Sequence, residues 1–188
     1  EIIGITDEEL TPVAAEAQET QNVITTVSGN EKAIGYISLG SLNDTVKAVN
    51  VGGHAPTAEA ISGGDYAIAR PFNVVYEKDS TNAILNDFLA FIFSAEGQTI
   101  VEDNGYVKVE ENGEAFASTL TEGGSIRVSG STSVAPLMSE LAPAYEEAVK
   151  EQKDLDVTVT VEQGGSSVGI SDVRGGKSVL GMVCRELT

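Results

Sequence analysis

The chain has no tryptophan, a single cysteine (Cys184), a single histidine (His54) and few aromatics, 5% of its 188 residues. One cysteine excludes an internal disulfide and thiolate metal clusters. The scarcity of aromatics leaves no platform for stacked bases and no large aromatic sugar site. Basic residues are short too: 11 Lys and Arg stand against 29 Asp and Glu, a net charge of −18 at pH 7. A nucleic-acid partner is therefore excluded, since neutralising backbone phosphates needs a basic patch. An anionic ligand would have to be held by short-range donors in a cleft, against the long-range field. There is also no apolar run of about 18 residues, so no membrane-spanning helix is read. No signal peptide is read either, and Glu1 reads as the start of a trimmed or mature fragment. What is present is an ordinary core complement, 41% hydrophobic. That suffices for one good-sized α/β domain, or one domain and part of a second.

The acidic stretch 1–30 is expected to end in a helix with Ala15, Val23, Ile24 and Val27 on its apolar side. Ala33–Ser38 and Val46–Val51 read as strands, and Gly52-Gly-His-Ala-Pro56 as a turn before a short helix capped by Thr57. Tyr66–Tyr76 reads as a long strand interrupted by Arg70-Pro71, an edge or a bend between two bodies. A helix over Thr81–Phe93 has Ser80 or Thr81 as its cap, and a second begins at Ser94 and stops at Asn104-Gly105. Glu110–Gly124, rich in Glu, Gly, Ser and Thr, reads as an exposed connector. The acidic runs Thr6–Leu10 and Glu110–Glu114 lack calcium-loop spacing and read as solvated surface. Strands alternating with helices predict an α/β fold with a substantially parallel sheet.

Two segments carry chemistry. The short strand Ile126–Val128 runs into Ser129-Gly-Ser-Thr-Ser-Val-Ala-Pro-Leu137, where a helix begins. About thirty residues on, the strand Val157–Val161 runs into Gln163-Gly-Gly-Ser-Ser-Val168 and another helix. Hydroxyls and free N–H groups at a helix start form a positive, donor-rich pocket that needs no Lys or Arg. Two such turns in successive β–α units point to one anion site. Each also has a plain reading, helix capping for Ser131, Thr132 and Ser133 and simple chain punctuation for Gly164-Gly165.

Six segments together span most of the chain: Val128-Ser-Gly-Ser-Thr-Ser-Val-Ala-Pro136, Gln163-Gly-Gly-Ser-Ser-Val-Gly169, Gly181-Met-Val-Cys-Arg-Glu-Leu187, Ala33-Ile-Gly-Tyr-Ile-Ser38, Gly64-Asp-Tyr-Ala-Ile-Ala-Arg-Pro-Phe72 and Ser94-Ala-Glu-Gly-Gln98. In this combination the chain resembles the phosphate-binding proteins of bacterial phosphate ABC importers, in their Gram-positive form. The resemblance implies a type II periplasmic-binding-protein-like lobe, with a mostly parallel sheet flanked by helices. It implies a non-enzymatic, extracellular receptor, attached to the surface of a Gram-positive cell, that binds inorganic phosphate and hands it to the membrane permease of the importer. No cofactor and no metal are implied. The order differs from the family's, in which the Ser-Gly-Ser-Thr-Ser segment comes first. The chain therefore reads as circularly permuted, or as cut from a tandem fusion. On this reading residues 1–62 are a partial second lobe and 63–188 the main anion-binding lobe, with 63–109 and 125–188 joined by the connector 110–124. The family's second-lobe Arg-x-x-x-Ser-Gly-Thr is also absent, so the second lobe is incomplete.

By match to the family, Thr132 and Ser133 donate to phosphate from the first turn, and Ser166 with the Ser167 N–H from the second. Ser131 belongs to the same turn as a ligand or a cap. Cys184 and Arg185 follow the last strand. There the resemblance implies a contact that bears on selectivity against sulfate, and Arg185 could form a bidentate pair with phosphate or bridge to Glu186. Arg70 reads as structural, a conformational stop at the crossing between lobes or a salt bridge. Half of the donors being absent predicts weak binding: at about 1.5–3 kcal/mol per charge-assisted bond, three lost bonds cost about three to six powers of ten. The alternative is a structural or interaction lobe fragment, completed by a dimer partner or a missing segment, since unpaired strands in 33–51 would seek partners. A phosphatase or acyl-transfer enzyme is disfavoured: there is no Gly-x-Ser-x-Gly elbow and no histidine beside a serine or Cys184.

Overall fold

The computed structural model describes residues 17 and 19–185. The expectations at Thr6–Leu10, Ala15 and Glu186 lie outside the described residues. The chain divides into two compact units, one comprising its described residues up to Ile37 with Leu42–Ala69, the other Ser38–Ser41 with Arg70 onward.

The first unit holds helix α1 (Thr20–Ser28), with Ile24 buried, and helix α2 (Ala58–Ser62), whose first turn is capped by Thr57 Oγ1 accepting from Ala60 N. Gly35 packs against α1 so closely that a Cβ there would lie 2.6 Å from Val23 Cγ1. Its neighbours Ile34 and Tyr36 are 82% and 91% exposed. The strands expected at Ala33–Ser38 and Val46–Val51 do not form: a strand needs a partner ladder, and among the described residues this unit offers only the bridge between Val51 and His54. That bridge closes over Gly52 and Gly53 (φ +62° and +90°), a two-residue turn that needs positive φ at both positions.

The second unit is the α/β lobe. Its sheet has the order β1 (Asn73–Tyr76), β4 (Leu180–Val183), β2 (Gly124–Gly130), β3 (Val157–Gln163). β4, β2 and β3 run parallel and β1 antiparallel on the edge. The long strand expected over Tyr66–Tyr76 thus shrinks to its last four residues, because Pro71 lacks an N–H for a ladder. Around the sheet lie α3 (Ala83–Ile92), α4 (Ala95–Asp103), α5 (Ala135–Lys153) and α6 (Ser166–Arg174). α3 is capped by Asn82, whose Oδ1 accepts from Leu85 N at 2.9 Å, rather than by Ser80 or Thr81. The α3–α4 corner explains Ser94-Ala-Glu-Gly-Gln98 as structure. Ser94 caps α4, Gly97 sits where a Cβ would meet Phe91 O at 2.1 Å, and Gln98 Oε1 accepts from Val109 N at 2.9 Å.

The core lies between sheet and helices: Leu85, Phe88 and Phe91 of α3, Leu141 and Tyr145 of α5, and Val128, Leu180 and Met182 of the sheet. The connector is the main correction. Rather than an exposed tether, its residues 114–120 form a strap built into that core, with Phe116, Ser118 and Leu120 alternately buried. The Phe116 ring packs edge-on against Phe91, with centroids 5.1 Å apart. Its backbone is held by side chains: Phe116 N donates to Glu96 Oε2 (2.8 Å), Gln152 Nε2 donates to Phe116 O (3.0 Å), and Ser118 N donates to Gln152 Oε1 (2.9 Å). Beneath it, Asp87, 2% exposed, accepts from Ser118 Oγ (2.9 Å), Thr119 N (2.7 Å), Thr119 Oγ1 (3.1 Å) and Tyr145 Oη (3.1 Å). Burial and the neighbouring Asp87 push the Tyr145 phenol well above its usual pKa.

Candidate functional site

The parallel strands β2, β3 and β4 end together, and the backbone stitches their carboxyl ends into one rim. Gly130 O accepts from both Gly164 N and Gly165 N at 2.9 Å, which ties the first turn to the second. Ser131 N donates to Met182 O at 2.9 Å, tying the first turn to β4. Cys184 N donates to Ser166 Oγ at 3.2 Å, tying β4 to the second turn. Glycine is required at Gly130, where φ is +139° and a Cβ would lie 2.3 Å from Met182 O. Open α/β sheets hold ligands outside the carboxyl ends of their strands, in a crevice of this kind.

The turn before α5 and the first turn of α6 leave donors open on this rim, although Ala135 N, the first of α5, donates to Ser131 O at 3.0 Å. α2, α3 and α4 are each closed by a capping side chain, whereas α5 and α6 have no side-chain cap. The N–H groups of Thr132, Ser166 and Ser167 meet no protein acceptor among the described residues. The hydroxyls of Thr132, Ser133 and Ser167 make no hydrogen bond there either. Both helix dipoles add partial positive charge at the same edge. This is a set of neutral donors for an anion in an otherwise acidic protein.

Each sequence-derived candidate falls in a definite place. Thr132 and Ser133 are half-buried in the turn leading to α5, and Ser166 and Ser167 open α6. Ser131 is 2% exposed, and its Oγ accepts from Ser133 N at 3.2 Å, which shapes the turn. Cys184 lies beside Ser166, Sγ to Oγ 3.5 Å. With one Ser166 lone pair taken by the Cys184 N–H, the hydroxyl proton has only this weak sulfur acceptor nearby, and a stronger oxygen acceptor would displace it. Arg185 is half-buried, its carbonyl accepts from Asn73 Nδ2 at 2.9 Å, and its guanidinium makes no ion pair among the described residues.

Asp172 was missed as a site support, and Arg70, read from the sequence as structural, reaches the rim. Asp172, buried on α6, accepts from Ser129 Oγ at 3.1 Å and pins α6 against β2, while Ser178 Oγ donates to Ser129 Oγ at 2.8 Å. Arg70 donates through Nη1 to Cys184 O at 3.4 Å, and no carboxylate among the described residues makes the salt bridge expected for it. Neither residue carries a local sequence signal, because their partners lie far along the chain.

No protein-family profile matches the chain. It is similar to the phosphate-binding protein PstS 2 of Streptococcus pneumoniae serotype 4, 38% identical over 169 residues that cover 90% of this chain and 56% of that protein. The same-named protein of Streptococcus agalactiae serotype V is 37% identical over 174 residues, 93% of this chain and 57% of its own. A solved structure, of the phosphate-binding protein of a phosphate ABC transporter from Streptococcus pneumoniae TIGR4, superposes with a TM-score of 0.70 at 37% identity, covering 95% of this chain and 66% of that one. The chain therefore spans about half the length of the curated relatives it matches. Those relatives are binding proteins and not enzymes. In sequence and in structure alike, the chain is similar to streptococcal phosphate-binding proteins over part of their length.

Proposed function

We propose that this chain binds inorganic phosphate as part of the extracellular solute-binding receptor of a phosphate ABC importer, and presents it to the membrane permease. One observation carries the reading: of the helix starts in the α/β lobe, those of α5 and α6 lack a side-chain cap, and they open on one stitched rim. Thr132, Ser133, Ser166 and Ser167 donate to the phosphate oxygens, Ser131 shapes the turn beneath them, and Cys184 and Arg185 form the third side. The donors of the two turns that open α5 and α6 are neutral hydroxyl and N–H groups, so there phosphate is held by hydrogen bonds aligned with helix dipoles. The region 1–62 is a partial second lobe and 63–188 the main lobe. A match over 169 of the 188 residues takes in both Ala33–Ser38 and Ser129–Gln163, so those relatives carry the two segments in the same order. No described helix is long and apolar enough to cross a membrane, and the cell-surface location rests on the family resemblance alone.

Calorimetric titration with phosphate, with sulfate as control, tests this. Weak binding is expected for the wild type, and its loss in Thr132→Val. An unchanged isotherm in Thr132→Val, or no heat at millimolar phosphate, would overturn the assignment. The exposed Ile34 and Tyr36 in an unpaired segment favour a second reading, in which the first unit is completed by a partner or a further segment. Light scattering on a gel-filtration column decides it, since a monomer at every concentration excludes self-pairing.

A further inference from the structure

We propose that Arg70 is a further anion-binding residue of this rim, holding Cys184 with one donor and offering the rest of its guanidinium to the ligand; the inference rests on the phosphate reading above. The segment that carries it is fixed against β4 at two points beyond the ladder. Asn73, paired with Val183 in the sheet, donates through Nδ2 to Arg185 O at 2.9 Å. Arg70 Nη1 donates to Cys184 O at 3.4 Å. Cys184 in turn donates its N–H to Ser166 Oγ at 3.2 Å. One residue thus separates the guanidinium from the opening serine of α6, and the bond on its carbonyl draws on one of five N–H donors. The charge is not spent elsewhere: Arg127, Lys108, Lys150 and Lys177 each lie within reach of a carboxylate, and Arg70 has none among the described residues. In a chain of net charge −18, the exposed Arg70 guanidinium adds to that of Arg185 a second cation, beside neutral donors, that makes no ion pair among the described residues. A planar fork suits two oxygens of a tetrahedral oxyanion.

The test is a titration of the 15N-labelled full chain with sodium phosphate, following the amide signals of Gly165, Ser166 and Cys184. Arg70→Gln is compared with Arg70→Lys and with Lys153→Gln, which removes the same charge at the far end of α5. Losing a charge-assisted contact lowers affinity about 10- to 100-fold. Arg70→Gln is expected to show that loss with these amides unmoved before phosphate is added. Arg70→Lys is expected to recover part of it, and Lys153→Gln to titrate as the wild type. Wild-type affinity in Arg70→Gln overturns the proposal. So does an equal loss in both Arg70 variants with the free-state amides already displaced, which marks Arg70 as a support for Cys184 alone. A wild type whose amides do not move with phosphate overturns the phosphate reading itself, and the Arg70 role with it.

Discussion

Replacing Asp87 by alanine removes the acceptor that holds the 114–120 strap and Tyr145 to the core. The carboxylate accepts four hydrogen bonds, at 2.7, 2.9, 3.1 and 3.1 Å, from Thr119 N, Ser118 Oγ, Thr119 Oγ1 and Tyr145 Oη. A bond to a charged acceptor contributes about 1.5–3 kcal/mol, and a buried donor left without a partner costs about 1–3 kcal/mol. The four are not additive, because Ser118 and Thr119 belong to one strap and relax together. Asp87→Ala is therefore expected to cost about 3–5 kcal/mol, a large fraction of the stability of an ordinary domain. Urea unfolding followed by circular dichroism measures it, as a shift of the midpoint at constant slope. Limited proteolysis localises it, with cleavage expected within 111–120 before the rest of the lobe. The double variant with Tyr145→Phe should lose less than the sum of the two single changes. A loss below about 0.5 kcal/mol, the scale of an ordinary surface substitution, would refute the strap as part of the core and restore a loose connector.

Hydrogen bonding from Phe116 N holds the Glu96 carboxyl below its ordinary pKa, partly offset by desolvation. A carboxyl depressed in the folded state contributes stability that is present above its unfolded value and lost as pH falls through the folded one. Protease sensitivity of the strap should accordingly rise below about pH 4.5, the unperturbed value, and Glu96→Gln should flatten that acid-side dependence; an unchanged profile in the variant would exclude Glu96 as its source. Gly130→Ala places a Cβ 2.3 Å from Met182 O at φ +139°, and strain of this kind costs about 1–3 kcal/mol. Its urea midpoint should fall and phosphate binding should weaken with it, whereas an unshifted midpoint would show that the β2–β4 contact gives way freely.

The helices were legible where local chemistry decides them. Thr57 and Ser94 announce the starts of α2 and α4, Gly52-Gly53 announces a turn, and the two Gly/Ser-rich stretches after apolar runs announce the β–α corners. The strands at 33–38 and 46–51 were misread because an apolar alternation states a propensity, while a strand exists only with a partner ladder. The strap was misread for the opposite reason: Glu, Ser and Thr look solvated until Asp87, Glu96 and Gln152 arrive from other helices to bond them. The sequence by itself therefore determined which residues could donate to an anion, because hydroxyls, glycines and helix starts are local properties of the chain. Only the tertiary structure decided that the turns share one rim, that Ser131 faces inward, and that Arg70 reaches Cys184 across 114 positions of sequence. Those relations depend on strand order, and strand order is set by which faces can be buried together.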